Sequence, residues 1–447
     1  MKTGFSKKCI TPKNGVPMLG YYERRRVKGT LDDIFAEALA LDDGKTKALI
    51  ISVDLCLLST EQCDVLRKKI HLATEVAEEG IFINCSHTHT APTYGYEKIS
   101  NLEGSDEYDS FFEEALCDVA SAALCDMRDS EFYFSKAKAE NIAFCRRFRM
   151  KDGSVKTNPG VNNPDIDCPL GAPDETVKLL KIKRDDACDI LVFSFGMHSD
   201  TVGGEFISGD WPALARLTLE KALDNTRCMF LLGSEGDIAH VNVNPTPADK
   251  IGLCYDSFDG VPRGYSHASH IGRKVAGSVL GIVDKAEPVK ADILSFGTRT
   301  IFIPSNQEND RLEEAEKIRF LYENGKAHEL PFKDMDLTTA VAEAVRICEL
   351  KNGPDGFEFQ LSALKIGDFI LAGLPGECFA DIGREIETLG SEKILVCCLT
   401  NGGDSYFPTS SAYDEGGYEA KTSRLKKGGD KIIIGEMSAL IREISIL

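Results

Sequence analysis

Two histidines two residues apart, His87 and His89, follow the apolar run Ile81-Phe82-Ile83 and the small, polar stretch Asn84-Cys85-Ser86. Side chains two apart on an extended strand project to one side. If the strand geometry persists, both imidazoles enter the same space. The chain has only eight histidines, and two at this spacing suit a metal ligand beside a proton-transfer group. Other apolar runs end in groups of similar chemistry: His198 after Ile190–Met197, Gly236-Asp237 after Cys228–Leu232, Glu377 in the turn Leu374-Pro375-Gly376-Glu377, and Tyr406 after Asn401. Zinc takes four ligands from His, Cys, Asp or Glu, and a catalytic site keeps one position for water. Each residue also has a plainer reading. A strand-end histidine is commonly a satisfied polar group, Glu377 suits the N-terminus of a following helix, and Tyr406 suits a core. The gaps are long and irregular, so spacing alone does not gather the four.

The elements that would position these groups read as strands alternating with helices. Ala36–Leu41 and Ala48–Leu58 form a hairpin about Asp42-Asp43-Gly44, and Ser59 caps a helix to about His71 with Glu61 in its first turn. Asp106–Met127 is helical by pattern and Glu131–Ala139 alternates like a strand. The basic stretch Arg146–Gly153 leads into a loop rich in Pro, Asn and Gly to about Pro173. A second hairpin pairs Val177–Lys183 with Ile190–Met197, and Asp210-Trp211-Pro212 opens a helix to about Leu223. Cys228–Leu232 is a strand, and helices follow over 266–284, 306–324 and 337–350. A third hairpin joins Phe357–Leu364 to Phe369–Leu374; then come a helix to Leu389, the strand Lys393–Leu399 and a closing helix, Ile432–Ile444. The fold class expected is α/β, a single large catalytic domain over residues 1–447 with mixed β-sheets flanked by helices and the site at strand ends.

Composition narrows the function. With 71 acidic against 52 basic residues the net charge is −19, which argues against nucleic acid or an anionic membrane as the main partner. The start Met1-Lys2-Thr3-Gly4-Phe5 shows no apolar segment of a signal peptide, and no run approaches the roughly 18 residues of a membrane span. The fifteen cysteines are an odd, scattered set without a C-x-x-C. Reduced thiols and a cytoplasmic location are expected.

Six blocks resemble the neutral, non-lysosomal ceramidases and their shorter bacterial relatives. They are Ile10-Thr11-Pro12 with Gly20-Tyr21-Tyr22 and Arg24; Ser86-His87-Thr88-His89 with Pro92; and Phe195-Gly196-Met197-His198 with Ser208-Gly209-Asp210-Trp211-Pro212. Gly236-Asp237-Ile238, Leu374-Pro375-Gly376-Glu377, and Asn401 through Tyr406-Phe407-Pro408-Thr409 to Tyr413 and Tyr418-Glu419 complete the series in family order. The resemblance implies a zinc ion held by His87, His198, Glu377 and Tyr406. It implies His89 as the proton-transfer group, with Arg146 (or its neighbour Arg147) and Tyr418 steadying an oxyanion. The implied reaction is hydrolysis of an amide in a small-molecule or lipid N-acyl substrate by zinc-activated water.

Asp54, ending Ile50-Ile51-Ser52-Val53, either orients an imidazole or caps a turn. His240 stands where the family has a Ser-Pro-Asn segment; it adds a substrate contact or replaces a loop residue. His267 and His270, three apart on a helix, read as solvated or core residues. The chain departs from the family in the glycine-rich Asn401–Asp404 and in the expected absence of a signal peptide and of a C-terminal β-sandwich domain. These departures leave open an N-acyl substrate other than ceramide. The alternatives are a zinc-dependent ester or lactone hydrolase on the same scaffold, and a metal-stabilised binding protein without turnover. The set His89, Arg146 and Tyr418 argues against the last, since a structural zinc has a closed shell.

Overall fold

The apolar runs are strands covered on both faces, and the residues along each run divide between two cores. In the computed structural model, which describes residues 1–21, 24–95, 106–255, 257–307, 310–390, 393–403 and 405–446, the larger sheet has nine strands. Its order is Thr226–Leu232, Asp189–Phe195, Thr176–Arg184, Arg128–Lys138, Lys2–Cys9, Phe35–Asp42, Lys47–Val53 and Ile81–Cys85, with Glu287–Val289 also pairing with Arg128–Lys138. The pairs at the two ends are parallel and those between them antiparallel. A second sheet orders Leu294–Pro304, Gly356–Ile366, Phe369–Gly373 and Lys393–Cys397, the last pair parallel. Tyr22 and Asp404, quoted in the motifs above, lie outside the described residues.

Leu39, Leu41, Ile50, Phe82, Val192 and Leu231 of the large sheet pack with Leu364, Leu371 and Leu395 of the second. Their neighbours along the same strands, Ala38, Leu49, Ile51, Ile83, Phe193 and Phe230, belong to another core. That core includes Leu66 of the helix Thr60–Thr74, Phe112 of Asp106–Cys125, Trp211 of Asp210–Ala222 and Ile271 of Tyr265–Leu280. On the far side, Gly429–Ile446 packs on Leu294–Pro304 and Gly356–Ile366. The layers are therefore helix, sheet, sheet, helix. The mixed α/β class and the three expected hairpins are observed.

Local chemistry explains where elements begin and stop. Ser59 and Gln62 form a reciprocal capping box at the start of Thr60–Thr74. The expected strand Ala48–Leu58 stops at Val53, and the segment beyond it turns into the site. Between Arg146 and Pro173 the chain is more ordered than its Pro, Asn and Gly content suggests. Val155–Thr157, Arg147–Met150 and Ile166–Pro169 form a small antiparallel sheet there. Lys2–Cys9 and Leu294–Pro304 are strands without a clean apolar period, because each is only partly buried. The helices Leu312–Glu323 and Asp334–Leu350 are inserted between two strands of the second sheet and share a small core of Ala315, Ile318, Val341, Ala344 and Ile347. No helix among the described residues is long and apolar enough to cross a membrane.

Candidate functional site

One side chain ties three strand ends together. Asn84 donates to the Cys398 carbonyl at 2.6 Å and accepts from the Leu232 N–H at 3.1 Å. Asn401 adds a second tie, accepting from Ile83 N–H at 2.8 Å and donating to the Ile81 carbonyl at 3.2 Å. These strand ends lead directly to His87, to Gly233–Asp237 and to Tyr406.

The strand ends at Cys85, and His87 has a left-handed backbone with φ of 64°. Strand alternation is therefore not what brings the two histidines together, contrary to the expectation. The turn at His87 is held by its N–H on the Leu55 carbonyl at 3.0 Å, and the His89 N–H bonds Ser199 at 3.1 Å. The two Nε2 atoms still lie 3.3 Å apart, with ring centroids separated by 4.7 Å.

His87 Nδ1 lies 2.8 Å from the Cys56 carbonyl, and His198 Nδ1 lies 2.9 and 3.0 Å from the carbonyls of Glu235 and Ile238. A carbonyl only accepts, so Nδ1 carries a proton on both rings and Nε2 is the nitrogen left to ligate. Both Nε2 atoms face Glu377 Oε2, at 3.5 Å from His87 and 3.1 Å from His198. The three ligand atoms lie within 4.8 Å of one another, and all three residues are buried. Neither His198 Nε2 nor Glu377 Oε2 makes a hydrogen bond within the chain. Tyr406 is the direct register partner of Glu377 in a short parallel pair. Two imidazole nitrogens, a carboxylate and a phenol fit a zinc-type cation.

Electrostatics point the same way. Burial opposes charge on Glu377, but the His87 and His198 rings outweigh it and hold the carboxyl well below its usual range. Burial, followed by the neighbouring His87, pushes His89 well below the ordinary histidine range and keeps it neutral. Burial also opposes the Arg146 charge, which the oxygens of Tyr406, Glu419 and Glu377 more than offset.

Arg146 lines the cavity of about 380 Å³ that also contains His87, His89, Glu377, Tyr406 and Tyr418. It donates to Tyr406 Oη at 3.2 Å and to the Gly236 carbonyl at 2.8 Å, and its Nε lies 2.6 Å from Glu419. Arg147 turns away to Glu415 at 3.0 Å and to the Gly416 carbonyl at 2.9 Å. The Tyr418 ring stands 5.8 Å from that of Tyr406. All seven site residues expected from the sequence therefore gather at one place.

Asp54 does not orient an imidazole. It receives Arg216 at 2.6 Å and the Phe35 N–H at 2.9 Å, joining Glu37 in a buried network that braces the sheet. The backbone carbonyls of Cys56, Glu235 and Ile238 orient the imidazoles instead, and nothing in those residues' side-chain chemistry announces this. His240 is buried, with Nδ1 3.1 Å from Asp200 and Nε2 donating to the Pro262 carbonyl at 2.8 Å. Its contacts are structural, and it sits behind Asp200 rather than in the cavity. His267 is partly buried and His270 exposed.

Several motif residues support the site without entering it. Trp211 Nε1 donates to the His198 carbonyl at 3.0 Å. A Cβ at Gly236 would meet the Glu377 carbonyl at 2.6 Å, so that position requires glycine for close approach. Asp237 accepts from the Ala380 N–H at 2.9 Å, fixing the helix that follows Glu377. Tyr413 donates to Ser423 at 3.0 Å, and Ser423 donates to the Tyr406 carbonyl at 3.0 Å. Arg25 reaches the His89 carbonyl at 2.8 Å. Sequence reasoning missed three residues: Asn84, Glu419 and Glu235, whose carboxyl is buried without a hydrogen bond and pushed well above its usual range by burial. Glu235 lies between Gly233 and Gly236 in the turn after a strand, which is the one available signal.

Fold and cluster together define a layered α/β protein with a buried His–His–Glu–Tyr centre at converging strand ends. Solved structures of ceramidases share this architecture. The neutral ceramidase from Pseudomonas aeruginosa superposes with a TM-score of 0.71 at 16% identity, over 99% of this chain and 74% of that one. A structure described as ceramidase complexed with C2 gives 0.72 at 15% identity, over 99% and 75%. No family model matches the sequence, and no curated protein matches it. The chain has the neutral ceramidase fold, as its motifs implied.

Proposed function

We propose that the protein is a zinc-dependent amidohydrolase, a single catalytic domain that cleaves an N-acyl bond in a small-molecule or lipid substrate. The observation that carries this reading is the convergence of the His87 and His198 Nε2 atoms on the Glu377 carboxylate, with Tyr406 in register beside it. Zinc held by these four residues would polarise the amide carbonyl and acidify a water. His89, neutral and 3.3 Å from His87, takes a proton at Nε2 and returns it to the leaving amine. The Arg146 guanidinium, kept charged by Glu419, and the Tyr418 hydroxyl bind the oxyanion. Leu57, Phe258 and Met335 line the same cavity and keep water from the reacting bond. The cysteines, none of them in a disulfide, support a cytoplasmic place of work within the same proposal.

Elemental analysis of protein purified without added metal tests the reading, with about one zinc per chain expected. His87→Ala and Glu377→Gln should lose that metal. His89→Ala should keep it and lower kcat by about 100-fold or more on N-acyl substrates. Loss of metal in His89→Ala, or its retention in both ligand variants, overturns the assignment.

A further inference from the structure

The cavity is furnished for a charged group beside its apolar residues. Three arginines line it. Arg146 is neutralised by Glu419 at 2.6 Å, and Arg263 by Asp259 through contacts of 2.8 and 2.9 Å. Arg424 has no carboxylate beside it among the described residues. Its guanidinium lies over the Phe357 ring, 4.3 Å from the centroid, and its Nε–H is buried without a hydrogen-bond partner. The chain has 71 acidic residues against 52 basic ones, so an arginine left unpaired is not explained by a shortage of acids.

Two more polar atoms of the same lining are buried and make no hydrogen bond within the chain: Thr422 Oγ1 and Asn158 Oδ1. Thr422 ends the short helix that begins at Tyr418, and Asn158 follows Thr157, which bonds Glu419 at 2.9 Å. All three polar side chains therefore sit on the segments that carry the oxyanion groups. Buried polar atoms are normally satisfied, and a polar ligand in the cavity would satisfy these. A planar guanidinium held on an aromatic face suits a carboxylate, which it can meet with two parallel N–H donors.

Resting on the amidohydrolase reading, we infer that the substrate is an N-acyl compound bearing a carboxylate, of the N-acyl amino acid class, and that Arg424 with Thr422 and Asn158 forms the subsite for that group. A hydrocarbon chain in this subsite would leave the guanidinium desolvated and unpaired. A cavity of about 380 Å³ also has the size of a small-molecule pocket.

The test compares kcat/KM for a panel of N-acetyl amino acids with the matching C-terminal carboxamides. The wild-type enzyme should prefer the carboxylates by about 30-fold, the range of a charged hydrogen-bonded pair. Arg424→Gln should collapse that ratio to near one, and Arg424→Lys should restore part of it. Cleavage of carboxamides as well as carboxylates by the wild type, or an unchanged ratio in Arg424→Gln, overturns the carboxylate subsite while leaving the amidohydrolase reading in place. If no N-acyl compound is cleaved, the amidohydrolase reading falls, and calorimetry of wild-type protein with the same N-acetyl amino acids decides the subsite alone. Binding that Arg424→Gln weakens about 30-fold supports it; absence of binding overturns it. Should Arg424→Gln fail to fold, the wild-type ratio and the Arg424→Lys variant carry the decision.

Discussion

Replacing Glu419 by glutamine should damage the site without touching any residue proposed to hold metal. Glu419 is fully buried, 2.6 Å from Arg146 Nε and 3.9 Å from Arg147 Nε, and it accepts from Thr157 at 2.9 Å. Glutamine has the same size and can still accept from Thr157. It removes the charge facing two buried guanidinium groups, and Arg146 is left with the Gly236 carbonyl and Tyr406 as acceptors. Breaking a buried pair costs about 3–5 kcal/mol, and the retained hydrogen bond puts this case near 3. An unfolding entropy of about 2.1 cal/mol/K per residue over 447 residues is about 0.9 kcal/mol/K, so the melting temperature should fall by about 3 °C. Loss of the Arg146 geometry should lower kcat by about 100-fold. Glu415→Gln is the control, because Glu415 meets only Arg147 and its side chain is 28% exposed. It should cost less than about 1 kcal/mol and leave kcat within about threefold. Equal losses from the two variants, or a Glu419→Gln enzyme that melts and turns over like the wild type, would refute the reasoning.

Gly20 lies at φ +112°, and a Cβ there would stand 2.8 Å from the Cα, Cβ and Cγ of His89. Gly20→Ala should therefore displace His89 and lower kcat by about 10- to 100-fold with zinc content unchanged, as activity and metal assays on one preparation would establish. Asp237 is pushed up to about 6 by burial, from an ordinary 3.8. Between those values the folded state keeps a proton that the unfolded state has released, so stability falls as pH rises through that window, by at most about 3 kcal/mol. Asp237→Asn removes this loss and can still accept from Ala380. Urea unfolding should find it similar to wild type at pH 4 and more stable at pH 7.5; a difference independent of pH would contradict the burial argument.

The sequence reports this fold through strands that carry unbroken apolar runs, because each of their faces meets a different core. Ile81–Cys85 and Lys393–Cys397 are of that kind and were legible. Lys2–Cys9 was not, because lysines at positions 2, 7 and 8 sit where the strand is partly exposed. The residues proposed for the site stand out by motif order, but their gathering does not. That depends on Asn84 and Asn401 joining strands more than 300 positions apart, through hydrogen bonds that leave no periodic trace. Asp54 shows the converse. A carboxylate ending a strand read equally as an imidazole partner or a capping group, but its charge is committed to Arg216, itself buried between Asp54 and Glu37.

The division of labour proposed for His87 and His89 rests on what holds the other ring nitrogen. His87 and His198 each commit Nδ1 to backbone carbonyls, which leaves Nε2 as the nitrogen facing Glu377. His89 Nδ1 is buried with no hydrogen bond, and the ring is placed by packing against Tyr21 and the Gly20 backbone rather than by a polar anchor. A ligand benefits from a fixed tautomer, because binding then requires no proton rearrangement. A proton carrier benefits from a ring whose nitrogens are not both committed, because it must hold the proton at one moment and release it at the next. Two histidines separated by a single threonine thus differ through contacts made by Cys56, Gly20 and Tyr21, none of which lies in the motif that contains them.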